Sequence, residues 1–566
     1  MAFPRKQIYA ALSILSALAV FLFFGLKYPY HLHYQEQYQL FQFTWTYFLD
    51  LVTVPGGLAD WCGRFLVQFC YYYWAGAAIL AFLFATLQLL THFAFRQAPY
   101  SLSFVPAVLV FLFLLDENAL FSAPVAIVGS LAALLLTRKS GSFVVAVVQF
   151  VLFFLLGPLS LAYGLCIAVI KRKIWIAIAS VILFVAWTGV SYLIFPYSFD
   201  NLLFGLHYHR FRSVVPVLPI VAALCIPLVG MSEICRPRIR KQSWKAVANV
   251  LLFAIIVSVS VFHTSKMADM SKEETMKYDF FARMKMWNRI IELADKKSPS
   301  TPIPVACLNL ALAMTDRMGD RMFNYFQNGP QGLLADFVRD YTSPLSTAEA
   351  YYHLGMINTA QRFVFEAQEA IPDYQKSARC YARLAETNLI NGYYDVARKY
   401  LIPLTHTLFY RKWAESVIAL LEDEDAIESH PEYGRLRRYR FTRRDFLFSN
   451  DEKYSMLGLL SSDNHENYVA YNYLIGLTLL CKDLQHFVEC LSLVNYETMP
   501  KVYQEALLLY WVQTHEGLDG LPSVINPNLV DRMIGYMRDS KAGKNMKYLE
   551  KVYGNTYWFY YLNRYR

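Results

Sequence analysis

The run KRKIWIAIASVILFVAWTGVSYLIFPYSFDNLLFGLHYHRFRS, residues 171–213, decides the fold. Three cations, Lys171 to Lys173, precede an apolar stretch over 174–195, and a loop rich in His and Arg follows. A helix of about 20 apolar residues covers a hydrocarbon core of roughly 30 Å. Basic residues collect on the cytoplasmic flank of such spans. The stretch therefore reads as a membrane crossing that leaves His207, His209, Arg210 and Arg212 on the outer side.

The same pattern extends in both directions. The chain begins MAFPRKQIYAALSILSALAVFLFFGL, a basic flank and a long apolar core with no small-residue cleavage site after it, which predicts an uncleaved first span. Further spans are expected near 70–93, 101–115, 119–137, 142–156, 158–170, 214–232 and 246–263. Thirteen Lys/Arg fall in five short segments between them: Arg5 and Lys6; Arg96; Arg138 and Lys139; Lys171 to Lys173; and Arg236, Arg238, Arg240, Lys241 and Lys245. Placing all five in the cytoplasm gives nine crossings, an inner N-terminus and an outer second half. Residues 142–170 are too short for two full crossings, so a short hairpin broken at Gly157-Pro158 is expected there.

Composition agrees. Of 566 residues 56% are hydrophobic, 16% aromatic and only 17% charged, against about 25% charge in soluble domains. An ordinary soluble enzyme and a disordered chain are both excluded. The net charge of +9 reports topology rather than a nucleic-acid footprint, and no nucleic-acid partner is expected. Nine cysteines without a CxxC pair make neither a disulfide framework nor a zinc site.

Three expected outer loops carry the chemistry: 28–69, 116–118 and 196–213. The first holds Glu36, Asp50 and Asp60, with an interfacial helix expected over 37–52 and a turn at Pro55-Gly56-Gly57. The second is Asp116-Glu117-Asn118. The third holds His207, His209, Arg210 and Arg212. Acids beside a bilayer need water, a cation or an arginine, and arginines grip phosphate through paired hydrogen bonds. Each group also has a plain reading, as a solvated loop acid or a headgroup anchor. A site requires the loops to converge; anchoring predicts scatter.

This arrangement of loops and residue types resembles the GT-C superfamily of membrane glycosyltransferases, which includes oligosaccharyltransferases. The resemblance covers residues 1 to about 213. It implies Glu36 or Asp50, with Asp116 and Glu117, as base and cation ligands, and Arg210 and Arg212, with His207 and His209, on a lipid phosphate. It implies a divalent cation, Mg or Mn, on Asp116 and Glu117, although a DxD string is replaced by Asp116-Glu117. The whole chain also resembles multi-span proteins of Bacteroidota with a C-terminal helical-repeat domain, a likeness that names no activity.

The second half, 266–566, turns to 3.6-residue periodicity with short breaks. Gly319, Gly355 and Gly392 lie 36 and 37 residues apart. In GMINTAQRFVFEAQEAIP (355–372), Gly355, Ala360, Val364, Ala367 and Pro372 take the offsets of a tetratricopeptide helix, with each glycine closing a turn between paired helices. The expected fold class is thus all-α: a polytopic membrane domain followed by a tetratricopeptide-like α-solenoid. Such repeats bind partners rather than catalyse. The arginine-rich stretch GRLRRYRFTRRDF (434–446) reads as a helix face or inter-helix loop, or as a contact for anionic lipid. The aromatic tail YLEKVYGNTYWFYYLNRYR (548–566) should dock on the preceding helix or the membrane surface.

Two functions follow. One is a glycosyltransferase of the bacterial inner membrane that moves a sugar or oligosaccharide from a polyprenyl-phosphate or -pyrophosphate carrier to a periplasmic acceptor. The repeats would present that acceptor, which favours a protein. The other is a non-enzymatic scaffold that holds the repeat domain for envelope assembly, although nine spans exceed what an anchor requires. A transporter is weaker, since charges within the spans are nearly absent.

Overall fold

The computed structural model describes residues 5–234, 242–336, 343–372, 375–441, 452–494, 496–515 and 517–563. Among these there is no strand; an isolated antiparallel bridge pairs Ala119 with His209. The basic segment Arg236–Lys241, and Arg443 and Arg444 of the arginine-rich stretch, lie outside the described residues. The chain forms two compact units. The first is Met1–Glu273 with Pro372–Arg379 and Pro403–Lys412; the second is Glu274–Ile371, Cys380–Ile402 and Trp413–Arg566. The first unit therefore reaches past the expected boundary at 265 and takes in two short segments from the second half.

The first unit is built from α1 (Arg5–Leu22), α2 (Pro29–Gln37), α3 (Trp45–Val52), α4 (Gly57–Val67), α5 (Tyr73–Ala94), α6 (Phe104–Phe113), α7 (Ser122–Thr137), α8 (Ser142–Leu156), α9 (Leu161–Lys171), α10 (Ile174–Ile194), α11 (Phe199–Phe204), α12 (Val217–Ile234) and α13 (Gln242–Met267). Five segments are long and apolar enough to cross a membrane: Gln7–Lys27, Tyr73–Ala94, Ile174–Ile194, Val217–Ile234 and Val247–Met267. No residue of the last is fully buried inside the protein, although Phe253 and Ile256 pack against the bundle; so much exposed apolar surface suits lipid and would be untenable in water. The remaining four expected spans form shorter apolar helices. The hairpin of α8 and α9 breaks where expected: Gly157 takes φ +81, a conformation open to glycine. The Lys171 ammonium donates to the Ser140 carbonyl and closes the hairpin's base.

One expected element is corrected. A single helix over 37–52 does not form; α2 ends at Gln37 and α3 starts at Trp45. The intervening backbone bonds elsewhere. Tyr38 O accepts from Arg210 Nη1 at 3.2 Å, and Phe43 N donates to His406 O at 2.8 Å. Thr44 caps α3 by accepting from Tyr47 N at 3.3 Å. No residue of α3 is buried, and Trp45 and Leu49 stand exposed, as an interfacial helix requires.

In the second unit helices alternate with tight turns. Gly355 (φ +85) joins Ser343–His353 to Ile357–Ala370, and Gly392 (φ +82) joins Ala378–Asn391 to Tyr394–Thr405. The expected role of Gly319 is corrected: it lies inside the short helix Met318–Arg321, and Asp316 (φ +54) is the left-handed turn residue. Gly319 instead permits close approach, because a Cβ there would meet the Pro500 ring at 2.7 Å. The aromatic tail docks on the preceding helix, Pro527–Lys541, where the Tyr553 hydroxyl donates to Asp539 at 3.0 Å and Asn563 Nδ2 donates to the Tyr536 hydroxyl at 2.6 Å, and on an earlier helix as well. Tyr557 and Tyr560 donate to the carbonyls of Leu479 (3.2 Å) and Leu480 (2.9 Å) at the end of the buried helix Tyr468–Leu480. The arginine stretch bridges helices: Arg437 Nη1 meets Glu428 at 2.8 Å and Arg440 Nη1 the Ile390 carbonyl at 3.1 Å.

Candidate functional site

The three loops do meet. Gln35 of α2 donates from Nε2 to the carbonyls of Glu117 and Ala119, both at 2.9 Å. Arg210 N donates to Asn118 O at 2.8 Å, and Leu120 N to Tyr208 O at 3.0 Å. The Arg210 guanidinium lies 5.3 Å from the Tyr38 ring. Thus the first loop, the turn between α6 and α7, and the loop after α11 are stitched into one layer.

Within that layer the expected site residues divide. Asp116 faces His209, with Oδ2 3.3 Å from Nε2, and accepts from Asn118 N at 2.8 Å. Burial would raise its carboxyl, but these hydrogen bonds outweigh it and hold the group below its ordinary value. Glu117 pairs with Lys272 at 2.6 Å. Glu36 is buried in α2. Arg210 is fully buried and holds the Tyr38 carbonyl, which makes it a tie between loops. No group of three or more His, Cys, Asp or Glu stands together as a metal cage among the described residues. As arranged, Asp116 and Glu117 hold an imidazole and an ammonium, which does not fit a cation site, and no step below is routed through a metal.

The other candidates, Asp50, His207 and Arg212, line a cavity of about 310 Å³. Its wall also includes Gln42, Thr46, Tyr47, Arg64, Tyr197 and Lys376. Behind the wall Asp60, 2% exposed, binds Arg64 at 2.9 Å and lies 3.7 Å from His207 Nδ1. Tyr47 stands beside the same pair. Arg212 rests 5.0 Å from the Tyr197 ring. The cavity thus gathers three cations, one open carboxylate on α3 and an imidazole.

Local structure explains the arrangement. The turn at Gly56 (φ +82) reverses the chain between α3 and α4, and Gly56 N donates to Phe154 O at 2.7 Å. Asp60 and Arg64 sit one turn apart on α4, the spacing of an i,i+4 ion pair. Tyr208 donates to Leu156 O at 2.6 Å, and the Ser122 hydroxyl donates to His207 O; together they fix His207 at the wall. Sequence reasoning missed Arg64, although the Asp60-x-x-x-Arg64 spacing was a usable signal. It also missed Lys376, for which no local signal exists, since that residue lies 326 positions after Asp50. Ser377 Oγ, donating to Gln37 O at 2.6 Å, and Arg379 Nη1, 3.1 Å from Gln37 Oε1, bring this segment in.

Comparisons with curated proteins and with solved structures returned no match. One family model, described as "Family of unknown function (DUF6057)", matches residues 5–564. Matched over nearly its whole length, the chain belongs to that family.

Proposed function

We propose that the first unit is a GT-C-like glycosyltransferase using a polyprenyl-phosphate- or -pyrophosphate-linked glycan, with the Asp50/Arg64/His207/Arg212/Lys376 cavity as its site. The observation that carries this reading is the lining: three cations and one open carboxylate around about 310 Å³, at the end of an apolar helix bundle. Arg64, Arg212 and Lys376 would bind the phosphate and stabilise its charge as it leaves. Asp50 would take the proton of the acceptor hydroxyl. That oxygen then bonds to the anomeric carbon while the bond from the carbon to the phosphate oxygen breaks, its electron pair leaving with the phosphate. In this reading the chain crosses a bacterial inner membrane nine times and the cavity faces the periplasm. The second unit is a tetratricopeptide-like stack presenting a protein acceptor. The alternating helices with left-handed turns at Gly355 and Gly392 support that stack.

The scaffold reading keeps one observation in its favour: Asp116, Glu117 and Arg210 tie loops to one another. A deletion strain complemented with wild type, Asp50→Asn or Arg212→Ala separates the two. Loss of surface and periplasmic protein glycans in the deletion and in both variants supports the enzyme. Intact glycans in the deletion overturn it.

A further inference from the structure

The second unit carries an open apolar trough of about 450 Å³. One wall is the face of Pro527–Lys541 that runs from Val530 to Lys541; the other is Leu508 and Val512 of the helix Lys501–Thr514, continued by Leu518. Leu508 and Met533 form a buried floor, at 0% and 4% exposure. The edges are bare: Val512, Leu518, Ile534 and Met537 stand 37%, 40%, 52% and 39% exposed. Scattered apolar side chains are ordinary on a surface, but a contiguous set marks a binding site. Arg538 and Lys541 complete the lining from the last turn of their helix. The Arg538 side chain is 79% exposed, its Nε 3.7 Å from Asp539 Oδ1, and Asp539 is itself held by the Tyr553 hydroxyl at 3.0 Å. No acid lines the trough among the described residues. Cations in a last turn complement the helix dipole, but the dipole calls for no apolar ridge beside them.

We propose that this trough docks an amphipathic helix of a partner protein, with apolar anchors three and four residues apart and acidic side chains flanking them. Val530 to Lys541 spans about 16 Å, three helical turns. A helix about 10 Å across covers both walls and turns its polar back to water, whereas a single acyl chain is too narrow to cover both. Carboxylates complement Arg538 and Lys541. A second copy of this chain docked face to face would set those cations against their own counterparts. Met533 and Met537 give a wall that adapts to differing anchors. Docking here is independent of the chemistry proposed for the first unit.

The test is fluorescence anisotropy on the full-length protein in phosphatidylcholine nanodiscs, with empty nanodiscs as the blank. The probes are two labelled amphipathic peptides of about 18 residues, long enough to hold a helix. Both carry Leu along one face; one has Glu on its flanks and the other Lys. Wild type should bind the Glu peptide saturably and the Lys peptide about tenfold more weakly. Ile534→Ser/Met537→Ser, at exposed positions that tolerate the change, should weaken the Glu peptide by about tenfold. Arg538→Glu/Lys541→Glu should reverse the preference, an outcome that misfolding cannot produce. Equal binding of both peptides by wild type, undiminished binding of the Glu peptide by Ile534→Ser/Met537→Ser, or a preference for Glu that survives the charge reversal overturns the proposal. So does failure of wild type to bind the Glu peptide, whether the trough then takes a fluorescent fatty acid, a second copy of the chain or nothing.

Discussion

The Asp60 carboxylate lies 2.9 Å from the Arg64 guanidinium, one helical turn away, with side-chain exposures of 2% and 13%. Charges placed so far from water are tolerable only together. Losing one partner strands the other, at a cost of about 3–5 kcal/mol. Asp60→Ala should therefore lower the thermal unfolding midpoint in detergent far more than Asp50→Ala, whose side chain is exposed. The double variant Asp60→Leu/Arg64→Met should recover most of the loss. A double variant no more stable than Asp60→Ala would show that the pair does more than satisfy itself.

Asp116 sets an acid limit. Its carboxyl is held below the ordinary 3.8 by hydrogen bonds from His209 and Asn118 that outweigh burial. A depressed carboxyl stabilises the fold above its unfolded value and loses that contribution as pH falls through the folded one. Wild type should lose this increment below about pH 4. In Asp116→Asn the stability profile should be flatter over that interval, with lower stability at neutral pH. Parallel profiles would dismiss the Asp116–His209 contact.

Gly56 and Gly157 should both resist substitution, Gly157 for two reasons at once. Both have positive φ, +82 and +81, which costs another residue about 1–2 kcal/mol. A Cβ on Gly157 would in addition stand 2.6 Å from the Tyr208 hydroxyl oxygen, whereas one on Gly56 would make only ordinary contact, 3.5 Å from Gly157 Cα. Gly157→Val should impair folding more than Gly157→Ala, and Gly141→Ala, where nothing lies within 4 Å, should be close to neutral. Yield and midpoint by fluorescence-detected size exclusion would rank them.

In the second unit Gly355 and Gly392 have similar φ, +85 and +82, but different surroundings. A Cβ on Gly355 would meet the Tyr439 carbonyl oxygen at 2.8 Å, whereas nothing lies within 4 Å of one on Gly392. Gly392→Ala should cost about 1 kcal/mol, the conformational term alone. Gly355→Ala should cost clearly more. Equal midpoints would mean the Tyr439 backbone yields.

The helices of the bundle were legible because each is written as an unbroken apolar run between charges, and the Gly157-Pro158 break was visible for the same reason. The left-handed turns at Gly355 and Gly392 could be read from spacing, since only a residue without a Cβ adopts that conformation cheaply. Asp316, which fills the same position one pair earlier, could not, because a polar residue there gives no distinct signal. Loop acids are equally ambiguous. Nothing in the sequence separates Asp116, matched to His209, from Asp50 on an open wall. The pairing of Asp60 with Arg64 was visible in principle, but the approach of His207 and Lys376 depends on tertiary contacts with no local trace.

Pro372–Arg379 and Pro403–Lys412 fold with the first unit, not with their sequence neighbours. A gene fragment ending at residue 273 would encode every apolar helix of the bundle and still lack Lys376 from the cavity wall, Ser377 and Arg379 on Gln37, and Phe409 stacked 5.0 Å from Tyr71. The two halves therefore cannot be exchanged between lineages like beads on a string. A recombinant that traded its second half for an unrelated repeat protein would inherit an incomplete wall and be lost. The family match likewise runs unbroken from residue 5 to residue 564, across both units.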